Sequence, residues 1–452
     1  VTNDQQLLEN ATAFVADETY NDSEVRARAR VLLADAVTLA LAADTVPGAT
    51  ELLELGVGAG EHAAWYSGNG LGAADAVQSN AAAICARFQD DTEMSSWSHP
   101  GSFVVPAAVG AAVETDRAYG ELVDGLIAGY AMTVWLGGGG EVALGMMKSG
   151  RRPSPTFGPA GACAAACRAA GLNRQETLHA VSGALLVGRG SLHSVGSGGE
   201  DWRLHNPGAA RDGLLYALAA RAGMTAGSGA LDSRHGFLSL SAGMTEVPVA
   251  MERPPHAGMV LDVWHKALPT LGDNMAVALA ALELNRRGLG GIDLGKVDEV
   301  VVSMNEHFRN FPGTQTRPPY KTLTSALSSV RFVTAQLLVH GTLDFDDYER
   351  RDDPAVVSLA ERVEVVPDEA LDYLDGVVTV RAHGQEHTCR SADLPRTLFF
   401  RDANEQRRIS ESLHGPAGAA LVDALVQADD SVPARKVVHE AIHAFHSTRN
   451  RT

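Results

Sequence analysis

Asp90-Asp91-Thr92, followed shortly by Ser98-His99-Pro100-Gly101-Ser102, gathers carboxylates, a hydroxyl and an imidazole into one non-periodic stretch between apolar segments. Rigid scaffolds commonly present reactive groups from such stretches. A carboxylate beside an imidazole can share acid and base duties, and two adjacent carboxylates in a partly buried place push one pKa upward toward the useful range. The same residues have a plainer use. Asp91 or Thr92 can accept backbone N–H groups at the start of a helix while His99 merely packs ahead of Pro100. Residue chemistry leaves both readings open.

Other segments carry chemistry of narrower kinds. Gly150-Arg151-Arg152-Pro153-Ser154-Pro155 places guanidinium groups ahead of a Gly- and Ala-rich segment. An arginine stays protonated, so Arg152 is no base, but it can hold a carboxylate bidentately; the plain alternative is a solvated basic turn. Trp202-Arg203-Leu204-His205 sets a cation and an imidazole next to each other, although lone histidines are often packing residues. His439-Glu440-Ala441-Ile442-His443 spells the H-E-x-x-H of zinc hydrolases on a predicted helix, yet little chain follows to supply a third ligand. The glycine run Gly137–Gly140 follows a helix-like segment rather than a strand and lacks the register of a phosphate cradle. Cys163 and Cys167, one helical turn apart among alanines, read as small packing residues, and no set of thiolates has iron–sulfur spacing.

The elements that must position these groups are mainly helical. From Glu24 to Asp44 the sequence EVRARARVLLADAVTLALAAD combines helix formers with apolar positions at helical spacing. Similar Ala- and Leu-rich segments at Ala76–Phe88, Val104–Glu114, Gly120–Trp135, Gly158–Ala170, Glu176–Val187 and Gly208–Ala222 are bounded by Gly, Pro, Ser or Asn. Their alanine and glycine content predicts close helix-on-helix packing. Beyond Pro254-Pro255 the pattern changes: strands are predicted after Lys296 and at Val363–Val366 and Val377–Arg381, the last entering a hairpin through Gly384 and ending near Arg390. Helices at Asn274–Asn285 and Ala326–Val339 alternate with them, and Ala417–Val426 and Pro433–His446 return to helix. The fold class is therefore mainly α, with a large helical domain at 1–262 and 404–452 and an inserted α+β lid domain at 263–403.

With 452 residues, 45% of them hydrophobic, the chain can bury a large core, and its net charge of −18 argues against a nucleic-acid partner. No apolar run reaches the roughly 18 residues that span a bilayer. The N-terminal VTNDQQLLEN has neither the basic nor the apolar part of a signal peptide, so a cytoplasmic protein is expected.

The Asp-Asp-Thr stretch leading into a His-Pro-Gly turn resembles the MmgE/PrpD family. There a D-[FN]-D-T segment precedes His-Pro-[SG], and the resemblance covers most of the chain. Asp91, Thr92 and His99 match positions that the family places at its active site. Arg152 stands where the family's H-P-T-x-T-[FV]-G segment has histidine. His205 is retained from K-x-L-H, while the lysine of that motif is replaced by Trp202 with Arg203 beside it. Lys266 matches K-x-[YF]-P, a lysine that can pair with a substrate carboxylate. Phe88 replaces an aspartate and Phe332 a tyrosine. The resemblance implies an active site between the helical domain and the lid, a homodimer, and a lyase or isomerase of dehydratase, epimerase or cyclising-lyase type, without metal or other cofactor. Its small-molecule substrate is a carboxylate or carbonyl compound that loses an adjacent proton. By this reading Asp91, His99, His205 and Thr92 are catalytic, and Arg152, Arg203, Lys266, Trp202, Phe88 and Phe332 bind substrate. Three aromatic replacements predict a substrate larger or less polar than methylcitrate. The alternatives are a zinc hydrolase using the HEAIH segment, a non-catalytic ligand-binding member of the fold, and a purely structural oligomer.

Overall fold

The Ala- and Leu-rich segments form helices, several of which are started by capping side chains. In the computed structural model, which describes residues 3–46, 49, 59–288 and 296–449, the helices longer than ten residues are, in chain order, α1 (Asn3–Asp17), α2 (Ser23–Leu41), α3 (Ala73–Ala86), α4 (Gly101–Glu114), α5 (Tyr119–Leu136), α6 (Pro153–Ala170), α7 (Arg174–Ala184), α8 (His205–Arg221), α9 (Met275–Arg286), α10 (Val330–His340), α11 (Ala403–His414), α12 (Pro416–Val426) and α13 (Ala434–Arg449). Asp22 opens α2 by accepting from Glu24 N at 2.9 Å and Val25 N at 3.2 Å. Asn173 and Glu176 make a reciprocal capping box at α7. Each satisfies amides that have no partner inside the helix.

The described residues divide into two compact units. The first is Val1–Ser191, Arg203–Trp264 and Arg401–Thr452, and the second is Leu192–Trp202 and His265–Phe400. In the first unit small residues bring helix backbones together, as the composition predicts. A Cβ added to Gly125 would lie 2.7 Å from Ala169 Cβ, and one added to Gly129 would lie 2.6 Å from Ala165 Cβ, so α5 and α6 touch where both lack bulk. On the other side of α6, a Cβ on Gly213 of α8 would meet Ala162 Cβ at 2.5 Å. Helix α2 is buried from Val31 to Leu41 and packs against α12. Its Thr38 hydroxyl pairs with Ser410 of α11 at 2.9 Å, and Arg30 donates to Ala428 O at 2.6 Å.

One part of this unit departs from the helical expectation. Strands β1 (Ala59–Ala63) and β2 (Gly70–Leu71) form a small bulged antiparallel ribbon. It is too short to show alternation, and it closes because glycine permits it: a Cβ on Gly60 would sit 2.2 Å from Leu71 O.

The second unit has β3 (His265–Lys266) paired with β8 (Phe399–Phe400), and a four-stranded sheet. The sheet is built of β4 (Glu299–Met304), β5 (Val363–Pro367), β6 (Gly376–Ala382) and β7 (Gln385–Arg390) in the order β5-β4-β6-β7. Strand β4 runs parallel to β5 and antiparallel to β6, and β6–β7 is the hairpin predicted around Gly384. Val300, Val302 and Met304 point to the buried face of β4, and α9 packs on β6 and α10. The helix predicted at Ala326–Val339 is broken near its start. Ser329 accepts from Phe332 N at 3.2 Å and so begins α10 anew after the short helix Leu323–Leu327. The protein is thus mainly α with a small α+β part. Among the described residues no helix is long and apolar enough to cross a membrane, and all four cysteines are buried and unbridged.

Candidate active site

The Asp90–Ser102 stretch is held as a rigid loop in the first unit. Thr92 and Trp264 exchange both backbone hydrogen bonds at 2.8 Å, and Glu93 pairs with Ser98. The buried Glu93 carboxylate accepts from Ser95 N at 2.8 Å and Ser96 N at 2.6 Å, closing the turn between them. The glycine run packs on this turn: a Cβ on Gly137 would lie 2.7 Å from Ser96 Cα. Phe88 and Trp97, near the two ends of the loop, both adopt left-handed φ, at 55° and 51°. Such backbone is costly for residues with a side chain and tends to mark functional sites.

Asp91 performs the capping role and also orients His99. Its Oδ1 accepts from Gly101 N at 2.8 Å, capping α4 from ten residues upstream, and its Oδ2 accepts from the Tyr130 hydroxyl at 2.6 Å. The link to His99 runs through the main chain: His99 Nδ1 lies 2.8 Å from Asp91 O and 3.2 Å from Thr92 Oγ1. A carbonyl only accepts, so Nδ1 carries the hydrogen and a neutral imidazole keeps its lone pair on Nε2. The imidazole is half-buried and Phe88 lies against it, ring centroids 6.4 Å apart. Burial pushes the Asp91 carboxyl up to about 7, against the lowering effect of the bonds from Tyr130 and Gly101. Behind it, the buried Arg28 donates to Val263 O at 2.6 Å and Arg401 O at 2.7 Å. Burial lowers the Arg28 pKa to about 10, with Tyr130 and Asp91 acting in the other direction.

Three helix N-termini meet at His99. Gly101 begins α4; Ser154, second residue of α6, accepts from His99 N at 3.0 Å; and Asn206, second residue of α8, donates to Ser102, whose hydroxyl bonds His99 O, both at 2.8 Å. These bonds bring the Arg152 and His205 segments to the same place. Arg152 N bonds Gly190 O at 3.2 Å, and a Cβ on Gly190 would lie 3.5 Å from His205 Nδ1. Arg152 and Arg203 are both buried, and with Asp90 they lie within electrostatic reach of the Cys85 thiol, which burial drives far above its ordinary pKa. Arg203 also donates to Ala86 O at 2.7 Å, at the C-terminal end of α3, where a cation is favoured.

The first unit therefore gathers Phe88, Asp91, Thr92, His99, Arg152, Arg203 and His205. The other three candidates belong to the second unit. Lys266 is buried and donates to Thr270 O at 3.3 Å; Asp273, whose carboxyl burial pushes up to about 7, feels its charge. Trp202 is buried with its indole N–H on Thr324 Oγ1 at 3.1 Å, and Phe332 is enclosed by Tyr348 and Tyr320, ring centroids 5.4 and 5.2 Å away. Sequence reasoning did not single out Tyr130 or Asn206. Both sit inside helical segments in which nothing about their spacing distinguishes them from packing residues.

In the HEAIH segment, His439 and His443 lie one turn apart on α13, and the nearby His446 bonds Trp65 O at 2.9 Å. Among the described residues no three His, Cys, Asp or Glu side chains converge as a metal site.

The first unit thus holds the His99 segment where the starts of α4, α6 and α8 come together, with the buried Arg152 and Arg203 on adjoining segments of chain. The chain belongs to the MmgE/PrpD family: residues 9–250 match the MmgE/PrpD N-terminal domain and residues 275–402 the MmgE/PrpD C-terminal domain. It is similar to the cis-aconitate decarboxylase of Aspergillus terreus, at 28% identity over 426 residues that cover 88% of this chain and 82% of that protein. Family and relative together support an enzyme of the lyase type in general.

Proposed function

We propose that the protein removes a proton from a carbon next to a carboxylate or carbonyl, with His99 Nε2 as the base. The single observation that carries this reading is the bond between His99 Nδ1 and Asp91 O, which leaves the basic lone pair on the other nitrogen. Negative charge then develops on the substrate oxygen. The N-termini of α4, α6 and α8 and the guanidinium groups of Arg152 and Arg203 supply fixed positive potential for it. The resulting enolate-like species either expels a β-substituent, as in a dehydratase, or takes a proton back on the other face, as in an epimerase. His205 is assigned the second proton transfer. Asp91 and Thr92 hold the imidazole, and Lys266 is assigned to a substrate carboxylate on the family resemblance alone. Phe88, Trp202 and Phe332, aromatic where the family has polar groups, favour a substrate larger or less polar than methylcitrate. A cytoplasmic homodimer needing no metal completes the reading.

The test is solvent exchange. Methylcitrate and a panel of less polar hydroxy acids are incubated with the enzyme in deuterated water and followed by NMR. Exchange or elimination is expected with a panel member and lost in His99→Gln. Exchange that persists unchanged in His99→Gln would overturn the assignment, and rapid ordinary turnover of methylcitrate or cis-aconitate would overturn the substrate part.

A further inference from the structure

The second unit contains a buried cation whose surroundings mostly oppose its charge. Arg331 is the second residue of α10 and is 3% exposed, yet its Nε and Nη1 have no hydrogen-bond partner among the described residues. A buried guanidinium that leaves N–H donors unmatched bears a desolvation cost with nothing returned. Its position adds to that cost, because the first turn of a helix carries the positive end of the macrodipole and disfavours a cation. Its neighbours do the same. Burial lowers its pKa, and the Arg317 and Arg309 guanidinium groups lower it further, while only Tyr320 and Glu364 act in its favour. Arg317 and Glu364 are exposed, so solvent weakens both the repulsion of the one and the attraction of the other.

The adjoining chain is tied to the start of α10 by hydrogen bonds. Val330 N bonds Thr314 O at 2.9 Å, and Ser329 Oγ donates to Thr316 O at 2.7 Å, fixing the 314–316 turn on the start of α10. The Thr314 hydroxyl is wholly buried and likewise lacks a hydrogen-bond partner. Tyr320, which pairs with Ser329 at 3.4 Å, is held within electrostatic reach of both Arg331 and Arg317. One kind of ligand would offset these unfavourable contributions. A small oxyanion would match the free N–H donors, offset the repulsion between the arginines and complement the helix N-terminus.

We propose that the second unit binds a small oxyanion, a carboxylate or a phosphate, at the first turn of α10, with Arg331 as its principal donor and Arg317 as its second cation. This site is independent of the proton transfer proposed above, since it is read without turnover.

The experiment uses the full chain and two probes, inorganic phosphate and succinate, each compared with sodium chloride at equal ionic strength, by thermal melting and calorimetric titration. At least one probe should raise the wild-type melting temperature, because a ligand that binds only the folded state stabilises it. Which one does so identifies the source of the oxyanion. Arg331→Gln should weaken that binding by at least about tenfold, and Arg317→Gln, an exposed change that leaves the fold undisturbed, should weaken it several-fold. In chloride alone Arg331→Gln should melt no lower than the wild type. The proposal is overturned if neither probe stabilises the wild type, if the two variants bind as the wild type does, or if Arg331→Gln melts several degrees lower in chloride, which would mean that the guanidinium is already satisfied.

Discussion

At the residue scale the Asp91 carboxylate fixes the loop that orients His99, the base proposed above. Replacing His99 by Gln should reduce proton exchange by about 10²–10⁴-fold with the melting temperature unchanged, a combination read by deuterium incorporation and a thermal melt on the same sample. Asp91 makes a separate prediction about pH. Its folded pKa of about 7 lies above the ordinary 3.8, so between those values the folded chain holds a proton that the unfolded chain releases. This group therefore favours folding in acid, and the advantage disappears as the pH rises through about 7. The loss from Asp91 alone is on the order of 4 kcal/mol. Urea unfolding at pH 5 and pH 8 should show a smaller decline for Asp91→Asn than for the wild type; an equal decline would assign the pH dependence elsewhere. Removing the Tyr130 hydroxyl as Tyr130→Phe should raise the Asp91 pKa further and carry the pH-dependent loss of stability to higher pH in the same urea experiment.

At the scale of elements, the close approach of α5 and α6 depends on glycines that carry no side chain. Gly129→Ala would put a Cβ 2.6 Å from Ala165 Cβ and 2.9 Å from Gly161 O, and such overpacking costs about 1–3 kcal/mol. Gly208→Ala in α8 has open space around it and should leave the melting temperature equal or raised, since alanine is the better helix former by up to about 1 kcal/mol. The two melts should differ in sign. The helices themselves were legible because their apolar spacing and their Gly, Pro, Ser and Asn boundaries are local signals. The break at Ser329 was not, because a capping serine inside an apolar run looks like any other small residue. The cap on α4 was hidden for a different reason: Asp91 reaches Gly101 across a folded loop, outside the short spacing of a sequence capping box. Tyr130 was invisible in the same way, its role being set by a contact 39 residues distant in sequence.

Across the whole molecule, the first unit is assembled from three separate stretches of chain. Helices α11 and α12 pack on α2, tied to it by the Thr38–Ser410 bond and, just beyond α12, the Arg30–Ala428 bond. A chain ending at Phe400 should therefore lose the cooperative melt of this unit and expose apolar surface, seen as increased binding of a hydrophobic dye; a truncated chain with a sharp melt and no dye binding would contradict this. The order of the stretches also sets a timetable for synthesis. Helix α2 leaves the ribosome early and its partner α12 near the end, with every residue of the second unit made in between. At cellular elongation rates the apolar flank of α2 waits for about 20 seconds or more without its native cover. During that interval the second unit is complete enough to fold, while the nascent first unit depends on whatever in the cell shields unfinished chains.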